Sequence, residues 1–327
     1  MGGNQTWVTE FILVGFKLKA QLEVFLFWIF SLFYVFGLLG NGMILGLILL
    51  DPKLHTPMYF FLSHLAIIDM SYASNNVPKM LKNLLNKTRT ISFVPCIMQT
   101  FLYLAFAQTE CLILVAMSYD RYVAICHPLQ YTAILSQRVC TVMAVTSWAC
   151  GFSLALVHAI LLLRLPFCGP HEVNHVFCEI LSVLQLACAD TWINEAVILA
   201  ACVFVLAGPL CLILVSYMSI LWTILRMQSG EGHKKAFSTC SSHLCVVGLF
   251  FGTAMVVYMV LDYSQREQEK MLSLFHSLFN PLLNPLIYSF RNAQVKDAFY
   301  RALWKKRSMS SGKVDSLPLM RCGFRMM

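Results

Sequence analysis

The sequence predicts an all-α fold, a bundle of seven transmembrane helices with a short amphipathic helix after the last span. Hydrophobic residues make up 58% of the 327 residues, charged residues only 12%, and the mean hydropathy is +0.69. One soluble core cannot hide that much apolar surface. The charged residues also leave seven long apolar runs, and apolar residues recur at helical spacing after the seventh.

Each apolar run is long enough for one membrane helix, because about 20 residues rising ~1.5 Å each cross ~30 Å of hydrocarbon. None of the runs alternates polar and apolar residues as the strands of an outer-membrane barrel would. Each run contains at most one charged residue. The predicted spans are residues 24–50, 54–78, 90–119, 139–163, 196–225, 236–261 and 271–290.

The helix predicted after the last span has an apolar stripe and basic remaining faces. This pattern is typical of a helix that lies on a membrane surface. The stripe consists of Val295, Ala298, Phe299, Ala302 and Leu303.

Charge predicts the orientation of the bundle. The connecting segments on the C-terminal side carry 15 Lys and Arg against five acidic residues, whereas the opposite set carries nine of each. Lys and Arg concentrate on the cytoplasmic side of membrane proteins, so the C-terminus is expected inside and the N-terminus outside. The basic excess indicates contact with anionic lipid and gives no support to nucleic acid binding. Lys79, Lys82, Lys87 and Arg89 oppose the trend, since they fall on the predicted outer side.

The predicted organisation is an outer tail at residues 1–23, a transmembrane domain at 24–290, and a cytoplasmic helix and tail at 291–327. Residues 1–10 lack the basic and apolar regions of a cleavable signal peptide, so the first span is expected to direct insertion itself. Asn4 begins a glycosylation sequon on this tail, and Asn86 begins a second one close to the membrane.

Most of the 13 cysteines lie within the spans, but four fall on the predicted outer side: Cys96, Cys168, Cys178 and Cys188. An even number of thiols in an oxidising compartment predicts two disulfides, and the spacing permits three pairings. The alternative is a zinc site that includes His171 and His175, although metal ligands usually come as tight pairs on a defined element.

Asp69 and Glu110 are the two carboxylates within the spans. An ionisable group in the bilayer costs ~2.5–3.5 kcal/mol, so both are expected to face the bundle interior. If they converge, a sodium ion between them would relieve their repulsion and desolvation. The alternative is that one carboxyl is protonated and hydrogen-bonded to polar neighbours. No other cofactor is predicted.

The sequence contains no motif of a catalyst. It lacks a GxSxG elbow, an HExxH zinc motif and a glycine-rich phosphate loop. The two halves of the chain show no internal repeat of the kind found in many transporters, and the odd number of spans argues against one. These absences favour a receptor or another helical bundle protein over an enzyme.

Five motifs together resemble the signature of the vertebrate olfactory receptors, within the rhodopsin-like G-protein-coupled receptors. The resemblance runs from about residue 10 to 306 and is closest to the tetrapod-type class, family 2. The motifs are GNGM at 40–43, PMYFFLSHLAIID at 57–69, MSYDRYVAICHPLQY at 117–131, KAFSTCSSHL at 235–244 and NPLLNPLIYSFRN at 280–292.

The resemblance implies a receptor in the plasma membrane that binds a volatile odorant and activates a stimulatory olfactory G protein, which raises cyclic AMP. Arg121 would pair with Asp120 at rest and turn towards the G-protein end on activation. Taken alone, that pair would be an interfacial salt bridge worth ~0–1 kcal/mol. The implied switch residues are Asp120, Arg121, Tyr122, Tyr217, Lys235, His243, Asn284, Pro285 and Tyr288.

The resemblance also implies a mostly apolar ligand pocket in which Gln108, Tyr258 and Ser277 supply hydrogen bonds. Tyr103 stands where amine receptors carry an aspartate, which favours a small neutral ligand. Ordinary helix packing is the competing interpretation for each residue. The implied lining is Tyr103, Leu104, Ala107, Gln108, Cys111, Ile198, Ala201, Cys202, Val205, Phe251, Ala254, Met255, Tyr258, Leu274 and Ser277.

The family pattern further implies the disulfides Cys96–Cys178 and Cys168–Cys188. The sequence departs from that pattern at Phe251, where many members carry Tyr, so contact between pocket and switch would be steric there. The alternative function, from a different class, is an ion-coupled transporter or channel that uses Asp69 and Glu110 as its ion path.

Overall fold

The computed structural model describes residues 8–16, 18–168, 171–226, 230–260, 266–291 and 293–310. Helices dominate these ranges, and three π-helical turns extend or join them at Val203–Ala207, Val256–Val260 and Phe275–Phe279. In chain order the helices are α1 (Ala20–Leu50), α2 (Pro57–Leu85), α3 (Phe93–Cys126), α4 (Tyr131–Ile134), α5 (Gln137–Leu163), α6 (Ile180–Leu184), α7 (Trp192–Cys202), α8 (Gly208–Arg226), α9 (Gly230–Met255), α10 (Arg266–Leu274), α11 (Asn280–Arg291) and α12 (Ala293–Ser310).

Within the described ranges, seven long helical rods form the bundle: α1, α2, α3, α5, α7–α8, α9 and α10–α11. Five of them are long and apolar enough to cross a membrane by length and composition alone. The rods α2 and α10–α11 are more polar because they contribute buried polar side chains such as Asp69, Asn76 and Asn284. The predicted all-α bundle is confirmed.

The bundle turns apolar side chains outwards and polar ones inwards. Trp28 is 68% exposed and Phe204 is 77% exposed, whereas Glu110 is 3% exposed. A soluble protein would reverse this distribution, but lipid solvates apolar side chains and excludes ionisable ones.

A three-stranded sheet closes one end of the bundle. Strand β1 (Glu10–Leu13) pairs with β2 (Thr90–Ser92) in antiparallel fashion and with β3 (Glu172–Val173) in parallel. The sheet therefore ties the segment before α1 to the two loops that follow α2 and α5. We call this the sheet end, and the opposite end, at the last turns of α3, the Arg121 end.

Basic residues fasten the segment before α1 to the sheet end. Arg89 donates to the carbonyl oxygen of Val14 at 3.0 Å and forms an ion pair with Glu23. Lys270, at the start of the last rod, is buried and donates to the carbonyl oxygen of Gly15 at 2.9 Å. Arg89, one of the basic residues that opposed the charge trend, thus makes hydrogen-bond and ion-pair contacts within the fold.

Glycine determines how closely α3 and α5 approach. A Cβ atom at Gly151 would lie 2.9 Å from the backbone nitrogen of Thr109 and 3.0 Å from the carbonyl oxygen of Ala105. Any side chain there would force the helices apart, so the absence of a Cβ sets their separation.

Helix α12 lies against the Arg121 end, close to the loop before α2. Val295 and Ala298, from its predicted apolar stripe, are 3% and 1% exposed, and Arg301 donates to Asp51 at 2.9 Å from Nε. Its amphipathic face therefore packs partly on the bundle. The division at residues 23 and 290 into tail, transmembrane domain and cytoplasmic part stays a prediction.

Candidate functional site: a cavity in the bundle and a polar switch at the Arg121 end

A cavity of about 70 Å³ lies between α3, α5, α7, α9 and α10. This is several times the ~10–15 Å³ that one water molecule needs. Most of the predicted ligand contacts line it: Tyr103, Leu104, Ala107, Gln108, Cys111, Ile198, Ala201, Cys202, Val205, Ala254 and Tyr258.

Four predicted contacts lie outside the lining of this cavity. Phe251 is buried in the hydrophobic core, Leu274 packs in a second apolar cluster, and Ser277 Oγ accepts from Asn76 Nδ2 at 3.4 Å. Met255 is half-buried beside Ala254, which does line the cavity.

Three of the expected contacts on α9 and the last rod are displaced by one residue in the cavity lining. Phe250, Ser273 and His276 line the cavity in place of Phe251, Leu274 and Ser277. One residue corresponds to about 100° of rotation around a helix. A family motif places a helix in the bundle, but only its packed neighbours decide which face meets the cavity.

Other lining residues were absent from the prediction: His158, Ile180, Leu206, Thr253 and Val257. Two polar signals in the sequence could have identified part of the set. His158 interrupts an otherwise apolar span, and Ser273 and His276 lie three residues apart on one helix face. Ile180 belongs to a loop helix, α6, whose position no span pattern indicates.

Several polar side chains at the cavity are paired within the protein. Tyr258 donates to the hydroxyl of Tyr103 at 3.3 Å, and Thr253 donates to the carbonyl oxygen of Leu249 at 2.7 Å. His276 Nδ1 accepts from Asn280 Nδ2 at 3.3 Å. These groups help to fix the walls, because their hydrogen bonds are satisfied without a ligand.

The loop between α5 and α7 covers the cavity at the sheet end. Its Cys178 forms a disulfide with Cys96 of α3, and the backbone N–H of Cys178 donates to Gln99 Oε1 at 2.9 Å. A second disulfide joins Cys168 to Cys188 within the loop. The predicted disulfides are present. They occupy the thiols that the zinc alternative required, and the described residues contain no cluster of three or more metal-ligating side chains.

His175 is buried completely within this loop. Burial lowers its pKa to about 3, and the positive charge of Lys270 acts in the same direction. Its Nδ1 lies 3.2 Å from the carbonyl oxygen of Phe177. The imidazole is therefore a neutral packing element of the loop at ordinary pH. His171 is exposed, so the two histidines do not share an environment.

Asp120 and Arg121 lie together, nearly buried, at the end of α3. Arg121 NH1 is 3.7 Å from Asp120 Oδ2, which is a long ion pair, and Tyr131 of α4 donates to Asp120 Oδ1 at 2.6 Å. Arg121 Nε has no hydrogen-bond partner among the described residues. Asp120 is thus held by a neighbouring helix, whereas the guanidinium keeps a free donor.

Three helices meet in a hydrogen-bonded chain beside that arginine. His243 Nε2 lies 3.1 Å from the carbonyl oxygen of Leu114, and His243 Nδ1 lies 2.7 Å from the hydroxyl of Tyr217. A carbonyl can only accept, so Nε2 carries the proton, and in the neutral ring Nδ1 accepts from Tyr217. The chain joins α3, α9 and α8.

The last rod meets α1 and α2 through the predicted NPxxY element. Asn284 Nδ2 donates to both carboxylate oxygens of Asp69, at 3.1 and 3.0 Å. Pro285 approaches α1 so closely that a Cβ at Gly40 would lie 3.0 Å from its ring. The Tyr288 hydroxyl, buried near Arg121, has no partner among the described residues. The hydroxyl of Tyr122 instead lies 3.2 Å from His127 Nε2.

Asp69 and Glu110 both face the interior, as the sequence indicates. Asp69 is 1% exposed and Glu110 is 3% exposed, and the two lie close enough to act on each other electrostatically. Glu110 Oε1 has no hydrogen-bond partner within the described part of the chain. The predicted glycosylation at Asn4 and the predicted switch role of Lys235 cannot be placed, because Asn4 and the side chain of Lys235 lie outside the described residues.

Known proteins resemble this chain over nearly its whole length. A family model described as olfactory receptor matches residues 30–306. Human olfactory receptor 2A2 is 75% identical over 310 residues, or 94% of this chain and 98% of that protein. Human olfactory receptor 2A5 is 73% identical, and mouse olfactory receptor 2A7 is 62% identical, each over 94% of this chain and 100% of the relative.

The fold is also similar to that of squid rhodopsin in its crystal structure. The TM-score is 0.71, and the match covers 95% of this chain and 98% of that chain at 17% sequence identity. An identity this low supports a shared fold alone.

Proposed function

We propose that this chain, which belongs to the olfactory receptor family of G-protein-coupled receptors, binds a small neutral volatile and activates a stimulatory olfactory G protein, which raises cyclic AMP. Family membership confirms the resemblance read from the motifs, the multi-pass membrane location and the prediction that the chain is no enzyme. The transporter or channel alternative loses support, because the relatives are receptors.

One observation carries the proposal: a single helix joins the cavity to the switch. Phe250 and Ala254 of α9 line the cavity, and His243 of the same helix bonds to both α3 and α8 at the Arg121 end. A ligand that binds better when α9 is displaced shifts the population towards the displaced state. Displacement of α9 would then break the His243 contacts.

The side chains around Arg121 suit such a transition. Breaking the His243 chain frees the Tyr217 hydroxyl, and the Tyr288 hydroxyl already lacks a partner among the described residues. The guanidinium has a planar set of donors that suits bonding to more than one oxygen. We infer that Arg121 leaves its long contact with Asp120 for these hydroxyls as α9 moves, which opens the Arg121 end to a G protein.

Phe250 supplies a steric connection between ligand and switch. Its ring lies 4.7 Å from that of His276 and 5.3 Å from that of Phe251, which is buried in the core. Phe251 has no hydroxyl, so this connection uses ring packing alone. A ligand that pushes Phe250 would therefore move Phe251 and α9 with it.

The proposed orientation places the sheet end outside the plasma membrane and the Arg121 end in the cytoplasm. Two disulfides at the sheet end fit an oxidising exterior. The basic helix α12 at the other end fits the anionic inner leaflet. Glycosylation at Asn4, on the proposed outer tail, belongs to the same proposal.

We also propose that a sodium ion between Asp69 and Glu110 modulates the receptor. The residues fit a hard cation, because both are carboxylates buried in one region and Glu110 Oε1 is unsatisfied within the described chain. Sodium should raise the melting temperature of the purified receptor above that in equimolar choline, and Glu110→Gln should abolish the difference. An equal effect of sodium in both proteins would contradict the site.

The main test is cyclic AMP output in cells that express the chain with a stimulatory olfactory G protein, screened against neutral volatiles. Arg121→Ala should abolish the response at equal surface expression. Arg138→Ala is the matched control, because Arg138 is an exposed arginine near the same end of the bundle. A response that survives Arg121→Ala would refute the switch. Ion flux that depends on Asp69 and Glu110, without cyclic AMP, would revive the transporter alternative.

A further inference from the structure

We infer that the cavity selects aliphatic alcohols and that Gln108, together with His158 in the same cavity wall, is the group that distinguishes a hydroxyl from other oxygen functions. The inference deepens the proposed odorant site, on which its physiological meaning rests. The physical claim concerns binding and can be tested without signalling.

Gln108 carries an unsatisfied acceptor in the cavity wall. It is 7% exposed, lines the cavity from α3, and has no hydrogen-bond partner for Oε1 among the described residues. A primary amide offers two donors and an acceptor. Burying such a group unpaired is costly, so a ligand that satisfies it gains binding free energy that the protein itself does not supply.

The other polar side chains of the cavity wall are less suited than Gln108 to distinguish a hydroxyl from other oxygen functions. Tyr103, Thr253 and His276 already have protein partners. Ser273 Oγ has none among the described residues, but a single hydroxyl can donate to any oxygen and so does not discriminate between oxygen functions. His158 lines the same cavity from α5, which packs along α3. In the proposed site its ring joins Gln108 around one ligand atom.

A hydroxyl is the function that pairs best with an amide and a neutral imidazole. It donates to one acceptor and accepts from a donor at the same time, whereas an ether or ketone oxygen only accepts. An ether would therefore leave the Gln108 acceptor unpaired. Sites built to hydrogen-bond a hydroxyl discriminate strongly against analogues that lack it.

The rest of the cavity fits an alkyl chain. Most of the lining side chains are apolar, and no described carboxylate, lysine or arginine lines the cavity: Ala201, Cys202, Val205, Leu206, Phe250 and Val257 are typical of the wall. A charged ligand would lose its hydration without a counter-ion. The volume of about 70 Å³ restricts the chain to a compact one.

The test is ligand-induced stabilisation of the purified receptor in lipid nanodiscs, because a ligand that binds the folded state raises the melting temperature. The probes are linear and branched alcohols of three to eight carbons, each with an ether, a ketone and an alkane of equal heavy-atom number. At least one alcohol should bind about tenfold or more tightly than its ether, as expected for one lost hydrogen bond to a buried group.

Gln108→Met keeps the length of the side chain and removes both donor and acceptor. It should abolish the preference for alcohol over ether, and it should leave the ligand-free melting temperature equal or higher, because a buried amide oxygen without a partner is gone. Thr253→Val is the matched control, since it removes a lining hydroxyl that is already paired, and it should retain the preference. Ser273→Ala should weaken alcohol and ether alike.

The inference would be overturned if no alcohol stabilised the receptor beyond its ether, or if Gln108→Met kept the preference. A lower ligand-free melting temperature in Gln108→Met would show that the amide is satisfied in the fold and would also overturn it. Alcohol binding without cyclic AMP would instead refute the proposed signalling and leave the ligand class intact.

Discussion

His175 should make the stability of the loop over the cavity depend on pH. Its pKa falls from the ordinary 6.5 to about 3 in the folded protein, first because it is buried and then because Lys270 lies nearby. Below pH 6.5 the histidine therefore binds a proton in the unfolded chain but stays neutral in the folded protein. The stabilisation is complete above pH 6.5 and is lost as the pH falls towards 3.

The size of the effect follows from the pKa difference. Each pH unit below 6.5 costs about 1.4 kcal/mol until the folded-state pKa is reached. At pH 5 the histidine should therefore lower the free energy of unfolding by about 2 kcal/mol relative to neutral pH. Its complete burial makes a solvent-screening correction unnecessary.

The assay is denaturant unfolding of the receptor in nanodiscs between pH 7.5 and 5, with His175→Gln as the comparison. Glutamine keeps a hydrogen-bonding side chain of similar size but does not titrate, so subtraction removes the contribution of other groups. The wild type should lose about 2 kcal/mol more than the variant over this interval. Parallel losses in the two proteins would refute the reasoning, because they would mean that His175 is protonated equally in folded and unfolded chains.

Three further predictions concern helix contacts. Tyr217→Phe removes one hydrogen bond to His243, worth about 0.5–1.5 kcal/mol. If this bond stabilises the resting state, ligand-free cyclic AMP output should rise roughly 2–13-fold. Unchanged output would exclude that role. Gly151→Ala should destabilise the bundle by about 1–3 kcal/mol in thermal unfolding, because the added Cβ overpacks the contact between α3 and α5. Gly46→Ala is the control and should not destabilise it, because a Cβ at Gly46 meets open space. Equal effects of the two substitutions would contradict the close approach at Gly151. Arg301→Ala should release α12 and speed its hydrogen exchange relative to α11, and unaltered exchange would show that the contact before α2 does not hold the helix.

The spans were predictable because lipid imposes a minimum length and excludes charge, and both constraints are local in sequence. The predicted second and third spans end at residues 78 and 119, yet α2 continues to Leu85 and α3 to Cys126. Lys79 and Asp120 interrupt the apolar runs without interrupting the helices, because a helix can extend beyond the hydrocarbon with its charged residues at the interface.

The cavity was predictable only in part. The residues expected on α3 and α7 line it, but on α9 and the last rod Phe250, Ser273 and His276 line it in place of the expected neighbours, whereas Ala254 and Tyr258 line it as expected. Helix rotation depends on the side chains of all neighbouring helices together, and no single segment encodes it. The sequence also did not indicate that Ile180 lines the cavity. The loop that carries Ile180 is positioned by the Cys96–Cys178 disulfide and by the hydrogen bond from the Cys178 N–H to Gln99 Oε1, both of which join distant segments.

The sequence by itself determined that this protein spans a membrane with seven helices, which family it resembles, and where the family's motifs lie along the chain. Those properties depend on local composition and on motifs that lie within single helices. Only the tertiary structure decided that Gln108 Oε1 lacks a partner among the described residues, that His243 joins three helices, and that Arg89 and Lys270 bond to the segment before α1. Whether a polar group is satisfied depends on atoms brought from distant segments, and that information exists only once the chain has packed.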